Sequence, residues 1–228
     1  MSTNIIVSYD GTSNDDDAVA LARMLAKGGA SLALAYVRHS REFDPAREQL
    51  AAHDAERRLE QGAALLGDPD TPQHVVVSAS TGEGLAKLAA DEGASLIVFG
   101  SDYRTPPGRA EPGNTAQHLL EGGPVAIAVA AAGLRVHSNG SIKSIAVKAA
   151  DADAAAHQTA QAMADKLEAQ LVAPDSGDAD LIVVGSQDTA PANRIALSGS
   201  ARAMLNSSRG SVMVVPNGAA VLTEADAP

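Results

Sequence analysis

Short unbroken apolar runs, each followed by a longer stretch with apolar residues at helical spacing, recur along this chain and limit what it can fold into. Ile5-Ile6-Val7 ends at the turn signal Asp10-Gly11, after which Ala18, Leu21, Ala22 and Leu25 fall on one helical face until Gly28-Gly29. Leu32–Val37 is a second run, followed by a helix from about Pro45 to Leu66 with Leu50, Leu59 and Leu66 on its apolar side. His74–Val77, Leu96–Phe99 and Val125–Val129 continue the series, with a helix near Gly84–Asp91 between the first two. Because these strands are continuous and not alternating, they predict a parallel sheet buried on both faces. Five strands with intervening helices make an open doubly wound α/β domain over residues 1–134.

The pattern then restarts in reduced form. Arg135–Ser141 reads as a linker, and residues 142–217 offer strands at Ser144–Val147, Leu171-Val172, Leu181–Val184 and Val212–Val215, with an Ala-rich helix over Ala154–Gln170. In the first half 59 positions separate Val37 from Leu96; in the second, nine separate Val172 from Leu181, so the third strand and its helices are missing. The tail beyond Pro216 reads as disordered. The last strand of each half would be a bare apolar edge, which mutual pairing removes. This predicts a monomer built as an intramolecular pseudo-dimer.

Charge and composition exclude several functions. Seventeen Lys and Arg against 28 Asp and Glu give a net charge of −11, with no basic stripe to draw a nucleic-acid backbone. The absence of cysteine removes disulfides, thiol catalysis and Cys-ligated metals, and the cytoplasm is the expected compartment. The start, Met1-Ser2-Thr3-Asn4, predicts no signal peptide, and the longest apolar stretch, Val125–Leu134, is too short to span a membrane. Asp15, Asp16 and Asp17 read as the first turn of a helix capped by Ser13 or Asn14, ahead of a metal site. The six histidines lack ligand spacing, although His118, four positions after Asn114, is placed to face either a phosphate site or solvent. Thr81-Gly82-Glu83-Gly84 misses the third small residue of a dinucleotide fingerprint, where Lys87 stands. There is no Walker A sequence and no nucleophile elbow.

The informative segments follow the fourth strand of each half. Gly100-Ser101 closes one strand and Gly113-Asn114-Thr115 opens the next helix; Gly185-Ser186 and Ser198-Gly199-Ser200 repeat the arrangement with the same 13-residue spacing. A glycine at a strand end and small polar residues at a helix start suit an anion placed beyond the carboxyl ends of the strands.

On these residues the chain resembles the universal stress protein family, as a tandem pair of its domains. The family's nucleotide-binding pattern is glycine, two residues, glycine, nine residues, then glycine and a hydroxyl residue. Gly100 and Gly113 match it; Tyr103 replaces the second glycine, and Asn114 the hydroxyl residue, with Thr115 next. The resemblance implies that Asp10, with Gly11, contacts ribose or adenine and that the Val37 backbone faces adenine. It also implies that amides around Gly100, Ser101, Gly113, Asn114 and Thr115 cradle phosphate, with Arg104 and Arg109 near Tyr103 as compensating cations. The implied ligand is ATP, with AMP or none as alternatives. In the second half Asp188, Ser198 and Ala150 stand where the second glycine, the third glycine and Asp10 should be, and the added carboxylate would repel phosphate unless a metal or a base such as Arg194 neutralised it. That half is expected to have lost its nucleotide. No general base or nucleophile emerges, no metal site is expected, and the expected role is regulatory. The alternatives are a ligand-free module for an unknown protein partner, and a slow ATP-hydrolysing or adenylating enzyme.

Overall fold

The computed structural model describes residues 4–40, 43–137, 139–150, 153–173, 179–205, 207 and 209–221. The first half contains β1 (Ile5–Ser8), α1 (Ser13–Ala26), β2 (Leu32–Arg38), α2 (Pro45–Leu66), β3 (Gln73–Val77), α3 (Thr81–Glu92), β4 (Leu96–Phe99), α4 (Asn114–Leu119) and β5 (Ala126–Val129). A turn of helix, α5 (Leu134–His137), leads to β6 (Ser144–Lys148), α6 (Ala154–Leu167), β7 (Gln170–Val172), β8 (Leu181–Val184), α7 (Gly199–Leu205) and β9 (Ser211–Val214).

The nine strands among the described residues form one sheet in the order β3-β2-β1-β4-β5-β9-β8-β6-β7. Every neighbouring pair is parallel except β5 and β9, which run antiparallel with Ala128 opposite Met213. The two edges expected to need each other are thus paired within one chain. One face of the sheet packs Leu21 and Leu25 of α1, Leu59 of α2 and Met163 of α6; the other packs Leu85 of α3, Leu119 of α4 and Leu205 of α7. Central positions such as Ile6, Val98, Ile127 and Val212 are wholly buried, as strands covered on both faces require. Among the described residues no helix is long and apolar enough to cross a membrane.

Several sequence expectations need correcting. Helix α1 is capped by Thr12, not by Ser13 or Asn14: its hydroxyl accepts from Asp15 N while the Asp15 carboxylate accepts from Thr12 N. Such a reciprocal cap contributes on the order of 1 kcal/mol. Helix α3 begins at Thr81, ahead of the expected Gly84, because Ser80 caps it through Glu83 N. Strand β3 alternates, with Val75 and Val77 exposed, because it is an edge strand. Leu50 is exposed, unlike Leu59 and Leu66: α2 spans about 33 Å at 1.5 Å per residue, longer than the strands beneath it. Helix α6 stops at Leu167, where Glu168 turns left-handed with φ 54°, so that β7 can start at Gln170.

The linker is folded where it leaves the first half. Gly133 N and Arg135 N donate to the two carboxylate oxygens of the buried Asp17, at 2.7 and 2.9 Å, and the Arg135 guanidinium pairs with the same group. Residues beyond Pro216 also pack: Val221 is buried and its N–H donates to Thr159 Oγ1. The remainder of the tail, 222–228, lies outside the described residues.

Candidate functional site

In the first half the chain runs outward from β1 through β2 to β3, then returns to place β4 on the other side of β1. The switch point between β1 and β4 is where open α/β sheets leave a crevice beyond their strand ends. Asp10 and Gly11 leave β1 there, Val37 is the penultimate residue of β2, Gly100 and Ser101 leave β4, and Gly113 is the N-cap position of α4, so the expected residues fall at the carboxyl ends of these strands and at the helix start.

At the β1–β2 side, the last register pair is Ser8 with Ala35, and Tyr9 N donates to Ala35 O. Val37 lies two residues on, with its backbone on the same edge but past the last rung of β1, while β3 covers the opposite edge. Gly11 adopts φ +82°, a left-handed conformation that suits glycine. Asp10 N donates to Asp15 Oδ2, and Arg58 of α2 reaches across to donate Nη1 to Asp10 O. Arg58 is itself fixed by Asp54 and lies 5.6 Å over the Tyr36 ring. Partial desolvation by the surrounding loop, then the charge of Asp15, raise the Asp10 pKa, with Arg58 and His39 opposing. Asp15 is raised as well, chiefly by desolvation, against the hydrogen bonds it receives from Thr12 and Asp10.

The aspartate triplet disperses. Asp15 closes the cap, Asp16 accepts from the hydroxyl of the buried Tyr9, and Asp17 holds the segment after β5. Among the described residues no group of three or more His, Asp or Glu side chains is arranged to hold a metal.

At the β4 side the residues separate into two kinds. A Cβ on Gly100 would lie 2.5 Å from the Asn14 carbonyl carbon and closer still to its oxygen, so this glycine lets the first turn of α1 sit against the strand end. Ser101 is buried: its hydroxyl donates to Ala130 O and accepts from Glu111 N, and its carbonyl accepts from Asn14 Nδ2. Its side chain is therefore committed to holding the loop. Tyr103 is 75% exposed and carries Arg104 over its ring at 4.8 Å, so the phenol leaves the crevice unfilled. Arg109 points its backbone to the other half, forming a bridge with Arg209. Around Gly113 there is open space, with Asn114 exposed and Thr115 half-buried at the start of α4, where no side chain caps the helix. His118 is exposed and packs against the start of α3, near Gly82.

The corresponding loop of the second half repeats these bonds with an offset of 85 residues. Ser186 donates to Val215 O and accepts from Ala196 N; Gln187 N donates to Ala196 O as Asp102 N does to Glu111 O; Asn217 N donates to Arg194 O as Ala132 N does to Arg109 O. Each loop also clasps the opposite half, through Gly210 N to Gly108 O on one side and Ile195 N to Gly123 O on the other. Here Gly185 faces the Asp153 carboxylate, the N-cap of α6, in place of a helix backbone.

Arg58, Asn14 and Asp17 were not foreseen as parts of this edge. Asp54, Arg57 and Arg58 at helical i, i+3 and i+4 spacing were the only available signal for the first, and it reads equally well as a solvated face.

The family model for "Universal stress protein family" matches residues 1–131. The chain belongs to the universal stress protein family. A universal stress protein structure from Archaeoglobus fulgidus DSM 4304 is similar to the whole chain, with a TM-score of 0.70 at 14% identity, covering 96% of this chain and 100% of that one. A functionally unknown protein from Pseudomonas aeruginosa PAO1 is similar with a TM-score of 0.60 at 15% identity, covering 95% and 93%. At such identities the likeness is one of fold. No curated protein matches the chain.

Proposed function

We propose that this family member is a regulatory protein that binds an adenine nucleotide, ATP first and AMP as the alternative, in the crevice of its first half. Two observations carry this reading: the backbone edge of β2 at Val37 runs past the last rung of β1, and the start of α4 has no side-chain cap and no atom within 4 Å of where a Cβ on Gly113 would stand. Adenine recognition by a strand edge needs a backbone donor and acceptor free of sheet pairing, and Val37 has that placement. Phosphate needs N–H groups without a capping side chain, and the start of α4 meets that need. Asp10, in the loop that leaves β1, is the acceptor for ribose hydroxyls in this reading, and its own carbonyl accepts from Arg58. Gly100 and Ser101 support the crevice by holding α1 and the loop, without touching the ligand.

Regulation rather than turnover is part of the proposal. Asp15 is committed to the loop by three hydrogen bonds, which supports this reading, and the role assigned to the Asp10 carboxylate is sugar recognition without proton transfer. The second half, with Asp153 at its strand end, serves the joint and not a nucleotide.

Thermal unfolding of the purified chain with millimolar ATP, AMP or cyclic AMP tests this. A rise in Tm that is lost in Gly113→Ala and Asp10→Ala supports it. An unchanged Tm, together with no small molecule released by heat or acid, overturns it. A second reading, a ligand-free interaction module, has one specific observation in its favour: the bonds of the 100–113 loop recur in a half without the nucleotide pattern, so the joint alone accounts for them. The same negative result would favour that reading.

A further inference from the structure

Where β5 crosses into the antiparallel joint, the carboxyl edge of the first half continues as the amino edge of β9, β8 and β6. A cavity of about 370 Å³, open on one side, lies there, within the size range of small-molecule sites. Leu21 and Met24 of α1, Ala131, Ile142 and Ala179 give it an apolar lining. Lys143 and Arg209 stand on its rim, exposed, and neither side chain makes a hydrogen bond or ion pair among the described residues. The carboxylate on the rim, Asp180, is occupied: one oxygen accepts from Lys143 N, Ser144 N and Ser144 Oγ, closing the turn into β6.

A second hollow of about 350 Å³ adjoins the first, sharing Met24 and Asn139, and carries Arg23, Lys27 and Arg135 with Asp16. Arg23 and Lys27 each donate to a neutral carbonyl, of Leu65 and of Gly140, which leaves their charge uncancelled. Among the described residues, five cations line the two hollows against two carboxylates, or three with Asp17 beneath Arg135. In a chain of net charge −11 this is a local reversal of sign, and a partly desolvated concavity strengthens its field.

From this we infer that the junction hollow is a binding site for a small organic carboxylate with an apolar body, distinct from the nucleotide crevice. Lys143 and Arg209 hold the carboxylate, Arg209 offering a planar pair of donors. The apolar body lies against Met24, Leu21 and Ile142. The same geometry disfavours an organic cation, which would meet Lys143 and Arg209 at the rim against one carboxylate, Asp180, that already closes the turn into β6, and it gives a neutral chain no charge to pair with. The inference does not depend on nucleotide binding by the first half.

Isothermal titration of the full chain with octanoate tests it, with 1-octanol and octylammonium as isosteric controls. Octanoate is expected to bind saturably, at least tenfold more tightly than 1-octanol, and octylammonium not at all. The double variant K143Q/R209Q changes two exposed, unpartnered side chains and leaves folding intact. It is expected to weaken octanoate at least tenfold while leaving 1-octanol unchanged. Ala179→Leu, which intrudes on the floor, should weaken both. Saturating ATP should not displace octanoate. Absence of saturable octanoate binding into the millimolar range, equal binding of the alcohol, no effect of the double variant, or displacement by ATP would each overturn the assignment.

Discussion

Gly100→Ala separates a packing role from a ligand role at the residue on which the family pattern begins. The new methyl would stand 2.5 Å from the carbonyl carbon of Asn14 and 3.1 Å from Asp15 N, where ordinary contacts fall at 3.4–4 Å. Helix α1 would have to retreat by about 1 Å, the difference between these distances. Its first turn is held by the Thr12–Asp15 cap and by the 2.7 Å bond from Asn14 Nδ2 to Ser101 O, so it cannot retreat freely. Overpacking of this kind costs about 1–3 kcal/mol, and loss of the Asn14 bond adds about 0.5–1.5. A total near 2–4 kcal/mol lowers Tm by roughly 5–15 °C for a chain of this length. Gly113→Ala is the matched control, since Gly113 has φ −69° and open space around it. An alanine there costs about 1 kcal/mol or less as a helix cap. Urea unfolding of the three proteins without nucleotide gives the comparison directly. If Gly100→Ala unfolds within about 0.5 kcal/mol of the parent, the steric account of this glycine is wrong.

Asp17→Ala leaves Gly133 N, Arg135 N and the Arg135 guanidinium without their buried acceptor and should lower stability by about 3–5 kcal/mol in denaturant unfolding, whereas a surface control such as Asp91→Ala should change it little. Ser101→Ala and Ser186→Ala break equivalent knots and should each cost about 1–3 kcal/mol, with values that agree between the halves. Asp10 and Asp15 have folded pKa values above their ordinary 3.8, so the native state binds the extra protons. The destabilisation is absent below that value and develops as pH rises through the raised folded pKa. Asp10→Asn should therefore raise the urea midpoint at pH 7 and match the parent at pH 3. Light scattering should give a mass of 23.0 kDa, that of one chain, because β5 and β9 occupy each other's edges; twice that mass would refute the internal pairing as sufficient.

The architecture was readable because it rests on period and continuity. The runs at Ile5–Val7, Leu96–Phe99 and Leu181–Val184 have one physical outcome in a parallel sheet, and the helix stop at Gly28-Gly29 supplies, at Gly29, the left-handed turn that a glycine permits. What stayed hidden was set by partners far along the chain. Nothing local in Gly100 tells whether it makes room for a ligand or for the backbone of Asn14, 86 residues earlier. Ser101 looked like a phosphate contact because small hydroxyl residues serve both purposes; its acceptor, Ala130, is supplied by the end of β5. Leu50 followed the helical period but overhangs the sheet, since the length of a helix and that of the strands under it are independent. Tyr103 stands in the position of the second glycine of the pattern, and its outward, exposed placement depends on the tertiary path of the loop.

The strand that seals β5 is made last. Between Val129 and Ser211 the ribosome must add 82 residues, a delay of about 4–16 s at typical elongation rates. Through that interval the nascent front half exposes a bare, apolar, hydrogen-bonding margin, and the neighbouring chain on a polysome offers an identical one. Truncation or stalling after α5 should therefore yield paired front halves, a species that the finished chain suppresses by supplying its own β9.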